Sequence, residues 1–71
     1  MMNQRVLLGV RGMDTADAAA VVTETLQAVP GVKSVEAGTD WQAVVEYDAS
    51  ELTVMDLIRA LRRRGFLAGM E

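Results

Sequence analysis

The chain contains no cysteine and no histidine. The commonest ligands of zinc, copper(I) and iron–sulfur clusters are therefore missing. Imidazole acid–base catalysis and thiol nucleophiles are excluded with them, and no disulfide staples the fold. Aromatic residues are scarce, with one Trp, one Tyr and one Phe. No apolar run approaches the roughly 20 residues that span a bilayer. The opening Met1-Met2-Asn3-Gln4-Arg5 does not read as a signal peptide, so a cytoplasmic location without membrane attachment is expected. An excess of acid (net charge −3, pI near 4.7) argues against general nucleic-acid binding. There is no Pro/Ser linker, low-complexity tract or internal repeat.

What is present is a chain of 71 residues, 51% apolar, read as one domain over residues 1–71. A chain this short buries only about 60% of the surface its unfolded form exposes, so its core is thin. Residues 5–11 alternate strictly: Val6, Leu8 and Val10 share one face, and Leu7, Gly9 and Arg11 the other. Period two over a β-branched stretch means a half-buried strand, ended by Gly12. Asp14 then precedes a helical run, and its spacing from Asp17 suggests a capping box. Ala18, Ala19, Val22, Leu26 and Val29 fall on one helical stripe, stopped by Pro30-Gly31. Val32, Val35 and Ala37 suggest a second strand, and Trp41 to Tyr47 a third, with Ala43, Val45 and Tyr47 inward. The short turn between them makes a hairpin. Asp48 to Glu51 is a loop. Thr53, with Asp56 three residues on, caps a second helix whose apolar stripe is Leu57, Ile58 and Leu61. Gly65 stands where a left-handed helix end is expected. Phe66 to Met70 suggests a last strand with Ala68 and Met70 inward.

The order β-α-β-β-α-β with right-handed crossovers predicts an α+β, ferredoxin-like sandwich. Its four-stranded antiparallel sheet has order 4-1-3-2 and carries both helices on one face. RNA-recognition domains of this architecture stack bases on aromatics of the central strands, and none lies on the first strand here. Acylphosphatase-like enzymes need an arginine and an asparagine around a phosphate loop, and the only asparagine is Asn3 in the amino-terminal segment. Carboxylates, Lys33 and Ser/Thr groups have no visible activating partner. The expectation is a non-enzyme.

Val10-Arg11-Gly12-Met13, Pro30-Gly31-Val32, Val45-Glu46-Tyr47-Asp48 and Arg64-Gly65-Phe66 stand in the order and spacing of the heavy-metal-associated domain. The chain resembles that family, which includes small copper chaperones and amino-terminal domains of metal-transporting ATPases, over nearly its whole length. The family's chemistry sits in Gly-Met-x-Cys-x-x-Cys, whose two thiolates bind soft ions at the start of the first helix. The matching segment here is Gly12-Met13-Asp14-Thr15-Ala16-Asp17-Ala18. Thr15 and Ala18 stand at the cysteine positions, and neither a hydroxyl nor a methyl is a useful soft-metal ligand. The resemblance thus implies the fold without the thiolate site, so no cofactor is expected.

Several residues remain as candidates. Asp14 and Asp17, with Thr15 and Met13, offer oxygen and thioether donors for a weakly bound ion, completed by a second subunit. Helix capping is the simpler use of the two acids, and the positive end of a helix repels a cation. The resemblance places Met13 in the core beneath the loop, and methionine fills such gaps well. Arg59, Arg62, Arg63 and Arg64 form a basic patch suited to an acidic partner or a nucleic-acid backbone, although charge runs usually face water. Leu7, Val44 and Leu67, with Gly9, face away from the helices and offer a strip for homodimerisation through the open sheet face, with an edge strand as the other route. Trp41 clamps the turn end against the core. Phe66 packs on Met13 and the loop. In the resembling family the partner face comprises the metal loop and both helix starts. The reading is therefore a protein-interaction or dimerisation module, with Asp14, Thr15, Asp17, Phe66, Arg59, Arg62 and Arg63 as partner-binding candidates. The alternative is a metal-binding or metal-transport protein using non-cysteine ligands in the first strand–helix loop.

Overall fold

Alternation builds β1 (Asn3–Arg11) and β3 (Gln42–Asp48), which pair antiparallel at the centre of the sheet. In this computed structural model, which describes residues 2–38 and 40–70, β2 (Val32–Ala37) and β4 (Leu67–Met70) complete the order β2-β3-β1-β4. That is the expected 4-1-3-2 order, with β2 and β4 as the edges. Two helices, α1 (Ala16–Gln27) and α2 (Val54–Arg63), cover one face.

Register decides which residues the helices cover. Val6 pairs with Val45 and Leu8 with Ala43, so the helix-covered face of the β1–β3 ladder is apolar across these pairs. Leu8, Val10, Val45, Val22, Leu26, Leu57 and Leu61 are essentially without solvent contact. Each such side chain contributes about 2 kcal/mol. On β2, Val32 and Val35 are three residues apart, which a regular strand would send to opposite faces. A register shift between Val32 and Ser34 inserts the extra residue Lys33, so both valines stay half-buried.

The far end of the sheet is tied by Asp48. Its Oδ1 accepts from the Ser50 hydroxyl (2.6 Å), the Ser50 N–H (2.9 Å) and the Met2 N–H (3.3 Å). The Ala49 N–H donates to the Met2 carbonyl at 2.7 Å. Asp48 is thus a buried residue of β3 and not the start of the expected loop. The Ser50 hydrogen bonds, hydroxyl foremost, pull its pKa from 3.8 to about 2.

Two expectations about packing fail. Trp41 lies just before β3, has φ +66° and leaves 47% of its surface exposed. Its carbonyl accepts from the Val10 N–H at 2.7 Å, so the backbone and not the indole closes the end of the ladder. The left-handed turn diverts the chain where an extended residue would have aimed inward. Met70 pairs with Leu8 and so shares its face, yet it is 67% exposed. It sits on an edge strand, beyond the cover of the helices.

Candidate functional site

The loop after β1 turns at Gly12, whose φ is +96°. Met13 follows, drops into the core and has no exposed surface. It belongs to the core cluster, where the resemblance places it. Asp14 and Thr15 return to the surface.

Thr15 is the residue before the first helical turn, with an extended backbone (φ −128°, ψ 160°), and its Oγ1 accepts from the Ala18 N–H at 3.1 Å. This is an N-cap bond, filling one of the donors that a helix start leaves open. The cap is Thr15 and not Asp14, which lies one residue outside the helix. Asp17 remains in the first turn, where the helix dipole favours an acid. Positions 15 and 18, where the resemblance places a cysteine pair, are thus joined by a hydrogen bond of the helix start. The other helix begins as the sequence predicts: the Asp56 carboxylate accepts from the Thr53 N–H at 2.9 Å and the Thr53 hydroxyl at 3.2 Å. Those bonds, the backbone one foremost, lower the Asp56 pKa.

Phe66 is aimed at the loop by the end of α2. The Phe66 N–H donates to Leu61 and the Gly65 N–H to Arg62, both at 3.0 Å, with Gly65 at φ +90°. This paired bonding turns the chain sharply out of the helix. The half-buried Phe66 ring then lies 3.6 Å from where a Cβ on Gly12 would stand. The ring covers the Gly12 backbone and packs against the core beside it.

Strand register shows what shares this end of the molecule. Leu67 at the start of β4 pairs with Arg11 at the end of β1, and the start of β3 lies there too. The loop end therefore gathers Gly12, Asp14, Thr15, Asp17, Phe66 and the carboxyl-terminal turn of α2 with Arg62, Arg63 and Arg64. Arg59 lies nearly a turn further back along α2. The start of α2 follows Asp48, which pairs with Asn3 at the opposite end of β1. The implied face of both helix starts is thus corrected: it holds one helix start and one helix end. Sequence reading treated the arginine patch and the loop as separate features, and only the antiparallel run of the two helices joins them. It also gave no role to Arg11, which reaches the same end.

On the open sheet face Leu7 pairs with Val44, and Gly9 with Gly69. The glycine pair leaves bare backbone between Leu7 and Leu67, and the Arg5–Glu46 ion pair (3.8 Å) flanks Leu7 and Val44. The apolar strip is therefore short and interrupted. Among the described residues, no three acidic side chains come together as a cluster able to hold a metal ion. Among them, too, no helix is long and apolar enough to cross a membrane.

The family model for the heavy-metal-associated domain matches residues 7–66. Among solved structures, the chain is similar to oxidized MerP from Ralstonia metallidurans CH34, at 28% identity and TM-score 0.93 over 97% of each chain. It is also similar to a copper binding domain from HMA7, a P-type ATPase, at 25% identity and TM-score 0.91 over 94% of this chain and 92% of that one. A third likeness is to the CopZ metallochaperone, at 25% identity and TM-score 0.88 over 93% of this chain and all of the other. No curated protein sequence matches significantly.

Proposed function

The chain belongs to the heavy-metal-associated domain family, and we propose that it is a member without a soft-metal site that works through protein contacts. The observation that carries this reading is the bond from the Ala18 N–H to Thr15 Oγ1. A helix cap occupies the two positions at which the family's motif places thiolates. Everything that presents the loop is nonetheless kept: the buried Met13, the left-handed Gly12, and Phe66 packed over it. A presented loop without thiolates is suited to being recognised by another protein rather than to carrying an ion. The docking face is the loop end, with Asp14, Thr15, Asp17 and Phe66 at its centre and the α2 arginines beside it. The whole chain acts as one binding unit, without catalysis and without a resident cofactor, and a cytoplasmic location fits that role.

Anaerobic titration with copper(I) and with zinc against a competing chelator tests the reading. Neither ion is expected to be taken from the chelator. One ion held per chain or per dimer contradicts the proposal. Retention of that ion by Asp14→Ala/Asp17→Ala would further exclude the acidic loop as its ligand.

A further inference from the structure

We infer that the free edge of β4 is a docking site for an extended acidic segment of a partner protein, which joins the sheet as a fifth strand. The inference rests on the reading of the chain as a protein-contact module and names the chemistry of its partner.

The two edges of the sheet are built differently. β2 carries Lys33, Glu36 and the register shift between Val32 and Ser34, all of which spoil an edge for further pairing. β4 reads Leu67-Ala68-Gly69-Met70, with no charge, no proline and no register shift against β1. Its backbone is open. The Val10 N–H donates to the Trp41 carbonyl just before β3, so Val10 turns its polar groups towards β3, and Gly9 and Arg11 turn theirs towards β4. Their partners Gly69 and Leu67 are used in that ladder. The N–H and C=O groups of Ala68 and Met70 therefore point away from the sheet. The side chains are bare as well: Leu67 on the open face is 59% exposed and Met70 on the helix face 67%. An added strand covers both.

Charge decides what kind of strand fits. α2 packs on β4 and α1 on β2, so one flank of α2 overlooks this edge and the other faces α1. The groove between the helices holds Asp56 together with Arg59 and Arg63. Met55, Ile58 and Arg62 share the opposite flank, spaced i, i+3 and i+7. Arg62 is exposed and lies one tight turn before Leu67. On the open face the exposed Arg11 pairs with Leu67. An added strand would run two strand spacings from Arg11, about 10 Å, a span that an arginine and a glutamate bridge together. Each face of the sheet thus has an arginine beside the start of β4. Asp14 and Asp17 lead into α1, and Asp56 faces it, so these acids lie towards the helix away from this edge. Glu71 follows the far end of β4 in sequence and is outside the described residues.

A second copy suits the edge poorly. Pairing β4 with its own copy about a two-fold axis sets the two Arg62 residues on adjacent helix flanks, like charge beside like charge. A segment antiparallel to β4, apolar opposite Met70 and acidic opposite Leu67, meets both arginines. Successive side chains of a strand point to opposite faces, so one acid reaches Arg11 and the next Arg62.

Amide-resolved NMR and hydrogen exchange of the whole chain test this. The probe is a capped peptide of about eight residues, alternating valine and threonine and ending in glutamates. The Ala68 and Met70 N–H groups, open in the free chain, should gain protection when the peptide is added, and those of Leu67 and Gly69 should change little. Affinity should fall at least about tenfold between low salt and about 0.5 M salt. Arg11→Glu/Arg62→Glu should bind the glutamate peptide at least about tenfold less tightly and should take a lysine-ended version instead. Circular dichroism checks that these exposed changes leave the fold intact. The same peptide N-methylated at the amides that face β4 should not bind. No binding, shifts that avoid β4, or binding indifferent to the charge reversal overturns the inference. Protection of Ala68 and Met70 that rises with chain concentration in the absence of peptide makes a second copy the occupant and overturns it too. Each of these failures leaves the thiolate-free reading standing, whereas soft-metal uptake by the wild type would overturn that reading instead.

Discussion

At the scale of single residues, the hydroxyl at position 15 carries the start of α1. Thr15→Ala removes the acceptor of the Ala18 N–H and should lower stability by about 1 kcal/mol, measured by urea unfolding. Thr15→Asp restores an acceptor and should recover most of that loss. Asp14→Ala should change stability far less, because Asp14 lies outside the helix. The sequence made the cap legible as a region and misassigned it by one residue, since Asp and Thr are both good caps and propensity cannot choose between neighbours. Asp48 makes a second residue-level prediction. Its pKa is about 2 in the folded protein against 3.8 ordinarily, so the folded state holds the charged form more tightly. The stabilisation is complete above about pH 4 and is lost as pH falls towards 2. Chemical unfolding at stepped pH should show wild type exceeding Asp48→Asn at neutral pH, with the difference shrinking across that window. Ser50→Ala, which deletes the strongest of the bonds, should narrow the difference likewise.

At the scale of elements, all four strands and both helices were legible from period two, period 3.6 and the Gly and Pro stops. The strand order followed from handedness alone. What escaped was set by neighbours and not by pattern. The insertion at Lys33 reconciles Val32 with Val35 only because β2 is an edge strand free to bulge. Trp41 is expected to clamp the turn end against the core, and its positive φ turns it out. Met70 kept its predicted face and lost its cover, because a helix layer does not reach the end of β4. The end of α2 offers a clean test of one element. Nothing lies within 4 Å of a Cβ built on Gly65, whose φ is +90°. Gly65→Ala should therefore register backbone strain alone, about 1–2 kcal/mol by urea unfolding. A larger loss would mean that the Phe66 turn itself had rearranged.

At the scale of the whole molecule, topology does what no local motif shows. It brings the loop, the start of α1 and the arginine end of α2 to one end of a sheet, although they lie some fifty residues apart in the chain. The site was legible as a set of residues, and its shape was not, because an antiparallel helix pair is a consequence of the completed fold. The margin for altering that fold is narrow. A domain of this length has about 4–10 kcal/mol in hand, and Leu57→Ala, at a position with no exposure, should remove about 2–5 kcal/mol of it in a denaturant titration. If the scaffold is intact and only the thiolate pair is missing, restoring the pair should restore soft-metal binding. An anaerobic copper(I) titration against a competing chelator, with wild type and Thr15→Cys/Ala18→Cys side by side, tests this. Wild type should take no copper while the double-cysteine chain binds one ion per chain or per dimer. Tight binding by wild type, or no binding by the restored pair in a chain that still folds, would contradict it.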